Sequence, residues 1–293
     1  MKKLTVFTPT YNRAYCLHKC YESLKRQTNK DFLWLIIDDG STDNTNDLVD
    51  KWISERSIDI HYIKQENQGM HGAHNTAYDH IETELNVCID SDDYMPDDGV
   101  EKILSFWEKH GDEQVSGIIG LDSFENGEII GTKIPVHIKT STLYNLYNKL
   151  GVKGDKKLVY RTELTKKYRY PLFENERYVG LAYKYFKLDQ EYPMLLINEV
   201  ICIVEYLADG SSMNMLNQYK NNPKGFAFYR KELMKLSFSD MKFKFRQAIH
   251  YVSSSILIKN RHFLKESPAK ILTFFATPFG IILYFLIVSK TKA

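Results

Sequence analysis

The chain has 293 residues, of which 43% are hydrophobic and 26% are charged, and its formal net charge is +2. These values are close to globular averages and exclude a disordered, collagen-like or low-complexity protein. The small net charge does not indicate a nucleic-acid binder that depends on bulk positive charge. Four cysteines exclude a disulfide scaffold, and their positions lack the spacing of a zinc site. The length allows one large domain or two small ones.

Strand-like and helix-like segments alternate along the first half of the chain. Five short apolar runs predict strands, at 4–8, 33–37, 58–63, 85–89 and 115–121. Helical patterns fit between the first four of them, at 16–27, 42–55 and 71–82. This alternation predicts an α/β fold with a parallel sheet. Asn126 and Gly127 predict a hairpin turn, and a later strand or strand pair is expected over 194–206.

Polar segments follow each of the first four predicted strands. They are TPTYNR at 8–13, DDGSTD at 38–43, QENQG at 65–69 and DSDD at 90–93. Because ligands bind at the carboxyl ends of the strands in open α/β sheets, this pattern favours a nucleotide site. The second segment, taken alone, also fits a turn before a helix, since Ser41, Thr42 and Asp43 are all good N-cap residues.

Three carboxylates, those of Asp90, Asp92 and Asp93, follow the fourth predicted strand. One Asp-x-Asp triplet is weak evidence, because about one arises by chance in a chain of this length. Its position directly after an apolar strand makes it informative. Carboxylates this close repel one another, and a divalent cation relieves the repulsion. Mg²⁺ or Mn²⁺ fits, since such ions take one or two carboxylates together with substrate phosphates.

Four motifs, in this order and spacing, resemble those of family 2 glycosyltransferases. They are TPTYNR at 8–13, DDGSTD at 38–43, ENQGMHGAHNTA at 66–77 and DSDD at 90–93. The resemblance covers about residues 1–125, and the rest of the chain is similar to bacterial members that build capsule, lipopolysaccharide or exopolysaccharide chains. It implies the GT-A fold, which is Rossmann-like, with a mostly parallel sheet flanked by helices.

The resemblance implies an inverting transfer of a sugar from a UDP-sugar to a saccharide acceptor, with Mn²⁺ or Mg²⁺ as the cofactor. The metal would act as a Lewis acid on the leaving diphosphate, and a carboxylate would take the proton of the attacking hydroxyl. The implied metal ligand is Asp92, the base of the nucleotide would bind Asp39 with Asp38, and the ribose would lie at Asp90. The full set of implied nucleotide-binding residues is Pro9, Thr10, Tyr11, Arg13, Asp38, Asp39, Asn67, Gly69, Asn75, Asp90 and Ser91.

The chain departs from the family pattern in two places. Many relatives have GGKH where this chain has QGMH at 68–71, so Met70 removes a cation that would contact the diphosphate. The pattern GEKFVPEAL corresponds to NERYVGLA at 175–182, in which Leu181 replaces the second glutamate. Glu176 keeps the first glutamate and is the candidate general base.

Other carboxylates, and another role for Glu176, remain open. Glu174 is the reserve candidate for the general base, and Asp189 or Glu191 would serve if the alignment slips. The competing interpretation of Glu176 is a helix-surface salt bridge with a nearby cation, Arg177 or Lys187.

Charge is divided unevenly along the chain. Residues 211–293 contain 14 Lys and Arg but 3 Asp and Glu, a net charge of +11, whereas residues 1–210 contain 25 basic and 34 acidic residues, a net charge of −9. The basic part contains a predicted amphipathic helix at 241–258 and the longest apolar run, at 271–288. That run fits an in-plane or re-entrant membrane helix, a spanning helix, or a buried helix or oligomer contact. Lysines on both sides of it argue against a span.

The expected organisation is a GT-A domain at 1–210, with a nucleotide-binding half at 1–125 and an acceptor-binding half at 126–210. A basic helical region that associates with the membrane follows at 211–293. The leading hypothesis is a glycosyltransferase at the cytoplasmic face of the cell membrane that acts on a lipid-linked saccharide, with homo-oligomers left open. No secretory signal is expected at residues 1–10, because the apolar run at 4–7 is too short for one. The alternative, motivated by Leu181, is a non-catalytic scaffold in a polysaccharide assembly complex; a nucleotidyltransferase is disfavoured, because its glycine-rich, lysine-bearing loop is missing.

Overall fold

The computed structural model describes residues 2–205 and 214–291. Internal contacts divide the described residues into two units. The first unit contains residues 2–67, 73–168 and 191–205, and the second contains residues 68–72, 169–190 and 214–291. The predicted domain boundary after residue 210 and the end of the predicted strand at Tyr206 lie outside the described residues.

The first unit is built on one mixed sheet of eight strands. The strands are β1 (Leu4–Thr10), β2 (Phe32–Asp38), β3 (Ile60–Lys64), β4 (Leu85–Cys88), β5 (Gly117–Ser123), β6 (Thr140–Ser141), β7 (Lys156–Arg161) and β8 (Met194–Ile203). Their order is β3-β2-β1-β4-β7-β5-β8-β6. Four strand pairs are parallel, and β6 and β7 pair only antiparallel with their neighbours. The predicted α/β fold is confirmed, whereas β6 and β7 were not predicted.

Helices cover the sheet. They are α1 (Ala14–Arg26), α2 (Thr45–Glu55), α3 (Met70–His80, the first three residues of which belong to the second unit), α4 (Gly99–His110), α5 (Leu143–Asn148) and α6 (Thr162–Thr165). A buried aromatic cluster joins α1 and α2 to the sheet, with Tyr21 and Trp52 stacked at a centroid distance of 4.4 Å. Trp34 of β2 lies beside them and donates from Nε1 to Thr8 Oγ1 at 3.0 Å. These contacts hold β1 and β2 against α1 and α2, and the candidate site lies where the two strands end.

The described part of the second unit is helical. Its helices are α7 (Ala182–Leu188), α8 (Met215–Asn221), α9 (Pro223–Met234), α10 (Met241–Leu257), α11 (Phe263–Glu266) and α12 (Lys270–Lys290). Asp240 caps α10, accepting from the backbone N–H of Phe243 at 2.7 Å. Gly280 lets α12 approach α10 closely, since a Cβ there would lie 2.5 Å from Val252 Cβ. Both helices predicted in this region are therefore present.

Candidate functional site

The loops after β1 and β2 are hydrogen-bonded to each other. The register pairs Thr10 with Asp38, so the two strands end side by side. Asn12, at a φ of 54°, accepts through Oδ1 from the N–H of Thr42 at 2.8 Å, and its own N–H donates to Ser41 Oγ at 2.9 Å. Asparagine tolerates this left-handed conformation better than most residues. The two motifs therefore form one rigid edge.

Asp43 extends this connection to both neighbouring helices. Its Oδ2 accepts from the N–H of Ala14 at 3.1 Å, and its Oδ1 accepts from the N–H and hydroxyl of Thr45 at 3.1 and 2.6 Å. Burial raises the pKa of Asp43, but these hydrogen bonds lower it by more, so the pKa of this carboxyl lies below its usual value. The N-cap position of α2 is Asn44 and not one of the three predicted residues, but Asp43 bonds the first N–H of the helix from the preceding position, beside any nucleotide role of the motif.

The two leading carboxylates of DDGSTD have different surroundings. Asp38 is fully buried and accepts from the N–H of Ser41 at 2.7 Å and from the hydroxyl of Tyr62 at 2.5 Å. Burial and the Asp38 charge raise the pKa of Tyr62. Asp39 accepts through Oδ1 from the side-chain amide of Gln65 at 2.7 Å. Asp38 therefore supports the loop, and its predicted contact with the nucleotide base, like that of Asp39, stays a prediction.

The other residues of the first motif that are predicted to bind the nucleotide lie at this same edge, at the end of β1 and in the loop after it. Pro9 and Thr10 end the strand, and Thr10 Oγ1 is buried without a hydrogen-bond partner. Tyr11 exposes 48% of its surface, which makes an aromatic face available. Arg13 precedes α1, and its guanidinium carbon lies 5.7 Å from the centre of the Tyr15 ring. An exposed ring beside an unsatisfied hydroxyl suits the stacking and hydrogen bonding of a nucleoside.

The third motif is divided between the two units. Asn67 belongs to the first unit and packs against Gly40, where a Cβ would lie 3.0 Å from the Asn67 backbone N. Asn75, also in the first unit, is buried on α3. Gly69 belongs to the second unit and has a φ of +80°, and a Cβ there would lie 2.0 Å from the carbonyl O of Arg177. Only glycine fits that position, so Gly69 has a structural reason to be glycine.

The acidic motif forms a turn directly after β4. Because β4 pairs with β1 in parallel, with Cys88 opposite Phe7, this turn lies at the sheet edge that carries the β1 loop. The N–H of Asp93 donates to the carbonyl of Asp90 at 3.0 Å. Asp90 and Asp92 remain partly exposed, whereas Ser91 and Asp93 are buried. The turn therefore presents two accessible carboxylates and turns the third inward.

A lysine that is largely covered by the protein faces the inward carboxylate. Lys157 of β7, with 12% of its side chain exposed, places Nζ 3.7 Å from Asp93 Oδ2. Cys202 Sγ lies 3.7 Å from the same oxygen. Burial raises the pKa of Asp93 to about 7, and the charges of Asp90 and Asp92 add to this while Lys157 opposes it. The carboxylates behind the turn therefore form one electrostatic group with Lys157.

Asp122 of β5 belongs to the same group. It is buried, and its Oδ1 has no hydrogen-bond partner. Burial raises the pKa of Asp122 to about 6 against the opposing charge of Lys157. Burial lowers the pKa of Lys157, but Cys202, Asp122 and Asp93 raise it by more, which keeps the ammonium protonated. The sequence does not predict the roles of Lys157, Asp122 and Cys202, because no local pattern places β5, β7 and β8 behind the acidic turn.

The acidic turn fits a metal that is shared with a substrate. Among residues 2–205 and 214–291, no three His, Cys, Asp or Glu side chains are arranged to hold a metal ion by themselves. Mg²⁺ and Mn²⁺ commonly use one or two carboxylates and complete their coordination with substrate phosphates and water. The two accessible carboxylates, Asp90 and Asp92, supply hard oxygen donors of that kind. The donor set therefore suits a diphosphate-bound divalent cation.

Glu176, the candidate base, caps a helix in the second unit. It is buried, and its two carboxylate oxygens accept from the backbone N–H groups of Lys224 and Gly225 at 2.9 and 2.7 Å. These donors belong to the first turn of α9, where N–H groups lack partners within the helix. The guanidinium of Arg177 donates to the Glu176 backbone carbonyl, and Lys187 pairs with Glu232. Glu176 therefore has a structural role, while its catalytic role stays a prediction.

The other candidate bases also have distinct environments. Glu174 is exposed, and Asp189 is buried at the end of α7. Glu191 accepts from Lys167 Nζ and from the Tyr168 hydroxyl, both at 2.6 Å, and these bonds hold the pKa of Glu191 below its usual value. Leu181 directly precedes α7 and offers no proton acceptor on its side chain.

We expect Glu176→Gln to lower the free energy of unfolding by about 1–3 kcal/mol, because the amide NH₂ replaces an oxygen that accepts from a buried N–H. Urea denaturation measures this change. Glu174→Gln is the matched control, since Glu174 is exposed two residues away, and it should leave stability unchanged. Unchanged stability of Glu176→Gln together with lost transfer would contradict the structural assignment and identify Glu176 as the base.

Comparison with known proteins supplies a family for this site. A family model described as Glycosyl transferase family 2 matches residues 5–169, which is more than half of the chain. The chain is also 37% identical over 96 residues to the teichoic acid poly(glycerol phosphate) polymerase of Staphylococcus epidermidis. That match covers 32% of this chain and 13% of the polymerase, so the chain matches about one eighth of that relative's length.

Solved structures show the same fold. Residues 1–349 of S. aureus TarS in complex with UDP-GlcNAc match with a TM-score of 0.64 and 17% identity, over 97% of this chain and 90% of that one. The mannosyltransferase PcManGT from Pyrobaculum calidifontis, in complex with GDP-Man and Mn²⁺, matches with a TM-score of 0.56 and 18% identity, over 99% of this chain and 76% of that one. The predicted GT-A fold is therefore confirmed.

Proposed function

We propose that this chain, which belongs to glycosyltransferase family 2, transfers a sugar from a UDP-sugar to a saccharide acceptor with inversion at the anomeric carbon. The observation that carries the proposal is the single sheet edge formed by the ends of β1, β2 and β4. There an exposed aromatic ring, the hydrogen-bonded loops and the acidic turn lie on neighbouring strands. The UDP-GlcNAc bound by the similar TarS structure supports UDP as the nucleotide.

Each donor residue has a role that its environment supports. Tyr11 offers its exposed ring to the uracil, and Asp39 accepts a hydrogen bond from the base. Asp90 binds the ribose, and Asp92 holds Mn²⁺ or Mg²⁺, as the Mn²⁺ complex of PcManGT suggests. When bound, the cation stabilises the negative charge on the leaving diphosphate. Lys157 balances the carboxylates behind the turn, so that the turn keeps its shape without substrate.

The proposals for the general base and the acceptor rest on the chemistry of the transfer and on the relatives of this chain. A carboxylate of the segment 174–191 accepts the proton of the attacking hydroxyl, with Glu176 as the first candidate from the family pattern. The named activity of the S. epidermidis relative supports a role in bacterial surface polymer synthesis. We place the protein at the cytoplasmic face of the membrane, with a lipid-linked saccharide as its acceptor.

Calorimetric titration of UDP, GDP, ADP and CMP, each with and without Mn²⁺, tests the donor proposal. We expect UDP to bind in a Mn²⁺-dependent manner and at least about tenfold more tightly than the other nucleotides, a difference of about 1.4 kcal/mol. Preferred binding of another nucleotide would keep the family and overturn the UDP assignment. The absence of all binding and transfer would favour a non-catalytic scaffold, which Leu181 and the capped Glu176 already make a second candidate.

A further inference from the structure

Helix α12 has an unusual distribution of side chains. The residues that it buries include small ones and recur at helical spacing: Thr273, Ala276, Gly280 and Ile287. The opposite face exposes eight large apolar side chains: Ile271, Phe274, Phe275, Phe279, Ile281, Ile282, Phe285 and Leu286. Their exposed fractions range from 40% to 78%. A surface helix of a globular protein normally turns its apolar face inward, so α12 has a face that something else must cover.

The charge of the surrounding helices indicates what covers this face. Residues 214–291 contain 13 Lys and Arg but only 3 Asp and Glu. Two of the acidic residues are already paired, Glu232 with Lys187 and Lys235, and Glu266 with Lys231. A second copy of this chain would bring an equally positive surface to the same contact. Anionic lipid headgroups instead complement the charge, while the acyl region accepts the apolar side chains.

The packing of α12 on α10 indicates how the helix would meet a bilayer. Gly280 contacts Val252, and the rings of Phe245 and Phe279 lie 5.8 Å apart, so the helices pack side by side. The first two turns of α10 carry three cations, Lys242, Lys244 and Arg246. A 21-residue helix, about 30 Å long, is long enough to cross the bilayer core, so length does not decide the orientation.

Charge decides the orientation instead. If α12 crossed the bilayer in this packing, the cations of α10 would be drawn toward the apolar layer, where charged side chains are strongly unfavourable. With α12 in the membrane plane, α10 lies beside it and its cations need not enter the apolar layer. Lys270 and Lys290, exposed at the two ends of α12, then reach the headgroup layer.

We propose that α12 binds an anionic membrane surface, lying in the plane of the bilayer with its phenylalanine-rich face in the acyl boundary and without crossing it. This inference deepens the proposed location of the enzyme. It rests on the second unit alone, and its test measures lipid binding and not transfer.

Vesicle flotation tests the lipid contact. The full chain should float with phosphatidylcholine vesicles that contain phosphatidylglycerol, and at least about tenfold less with pure phosphatidylcholine or at high salt. Phe275→Ser combined with Phe285→Ser should weaken binding to the anionic vesicles about a hundredfold or more. The control combines Ile53→Ser with Val136→Ser, two exposed apolar residues of the first unit, and should bind like wild type. Equal flotation of both double variants would overturn the proposal.

Two further measurements separate the alternatives. Lys270→Cys and Lys290→Cys are each added as protein to preformed vesicles. Both should react with a membrane-impermeant maleimide in the outer solution. Labelling of only one would indicate a span and overturn the in-plane orientation.

Light scattering without lipid tests for a second copy of the chain. It should give a monomer for wild type and for Phe275→Ser combined with Phe285→Ser. A wild-type dimer that the double variant loses would show that a second copy covers the face. Wild-type protein that binds UDP but does not float with anionic vesicles would refute this inference alone. Wild-type protein that floats but does not bind UDP would refute the donor proposal alone.

Discussion

Asp92→Asn is expected to abolish Mn²⁺-dependent UDP binding and to lower transfer about 10²–10³-fold. Asparagine keeps the size of the side chain but removes the negative charge and one hard oxygen donor, both of which a divalent cation needs. Asp92 is the partly exposed middle carboxylate of the acidic turn, whereas Asp93 lies against Lys157. Titration of UDP with and without Mn²⁺, followed by a transfer assay with UDP-sugars, measures both effects.

The matched control for this prediction is Asp59→Asn. Asp59 directly precedes β3 in the same unit, and 53% of its side chain is exposed. The Asp59→Asn protein should therefore bind UDP and Mn²⁺ like wild type. A chelator added to wild type should reproduce the Asp92→Asn result, because both remove the cation from the diphosphate. Undiminished Mn²⁺-dependent UDP binding by Asp92→Asn would show that the metal site lies elsewhere.

The parts of the fold that were predictable are those with a local hydrophobic signal. β1, β2 and β4 lie in the centre of the sheet, so side chains on both of their faces are buried, and the sequence shows mainly apolar runs that are interrupted by buried polar residues such as Thr5 and Asn86. β7 lies equally deep in the sheet but begins with two lysines, which a simple polar-apolar pattern assigns to the surface. Lys156 is buried because four backbone carbonyls surround its ammonium, those of Ile130, Lys153, Gly154 and Asp155. That compensation comes from tertiary structure and leaves no local pattern.

The candidate site also has a part that the sequence predicts and a part that it does not. The motifs at the strand ends were found because strand ends in a parallel sheet converge on one edge. The partners that hold them were not found, because they come from distant segments. Glu176 shows this limit well, since its acceptors bond to Lys224 and Gly225, 48 and 49 residues further along the chain. The family pattern identified the glutamate, but only the structure shows that the carboxylate caps α9.

Lys157→Met is expected to lower the free energy of unfolding by about 3–5 kcal/mol near pH 8, because it leaves buried carboxylates without their cation. Methionine has a similar length and removes the charge without leaving a large cavity. Urea denaturation measures the loss, and Lys51→Met, at an exposed position on α2, should change stability by less than about 0.5 kcal/mol.

The loss should also depend on pH, with a sign that follows from the neighbours of Lys157. Asp122 has a pKa of about 6 in the folded protein against an ordinary value of 3.8, so its ionisation destabilises the fold as pH rises through this range. Without Lys157 its pKa rises further. Lowering the pH from 8 to 5 should therefore protonate the carboxyl and shrink the deficit of Lys157→Met relative to wild type. A deficit that grows on acidification would show that the ammonium group does not compensate these carboxylates, and the acidic turn would then keep its shape by hydrogen bonding alone.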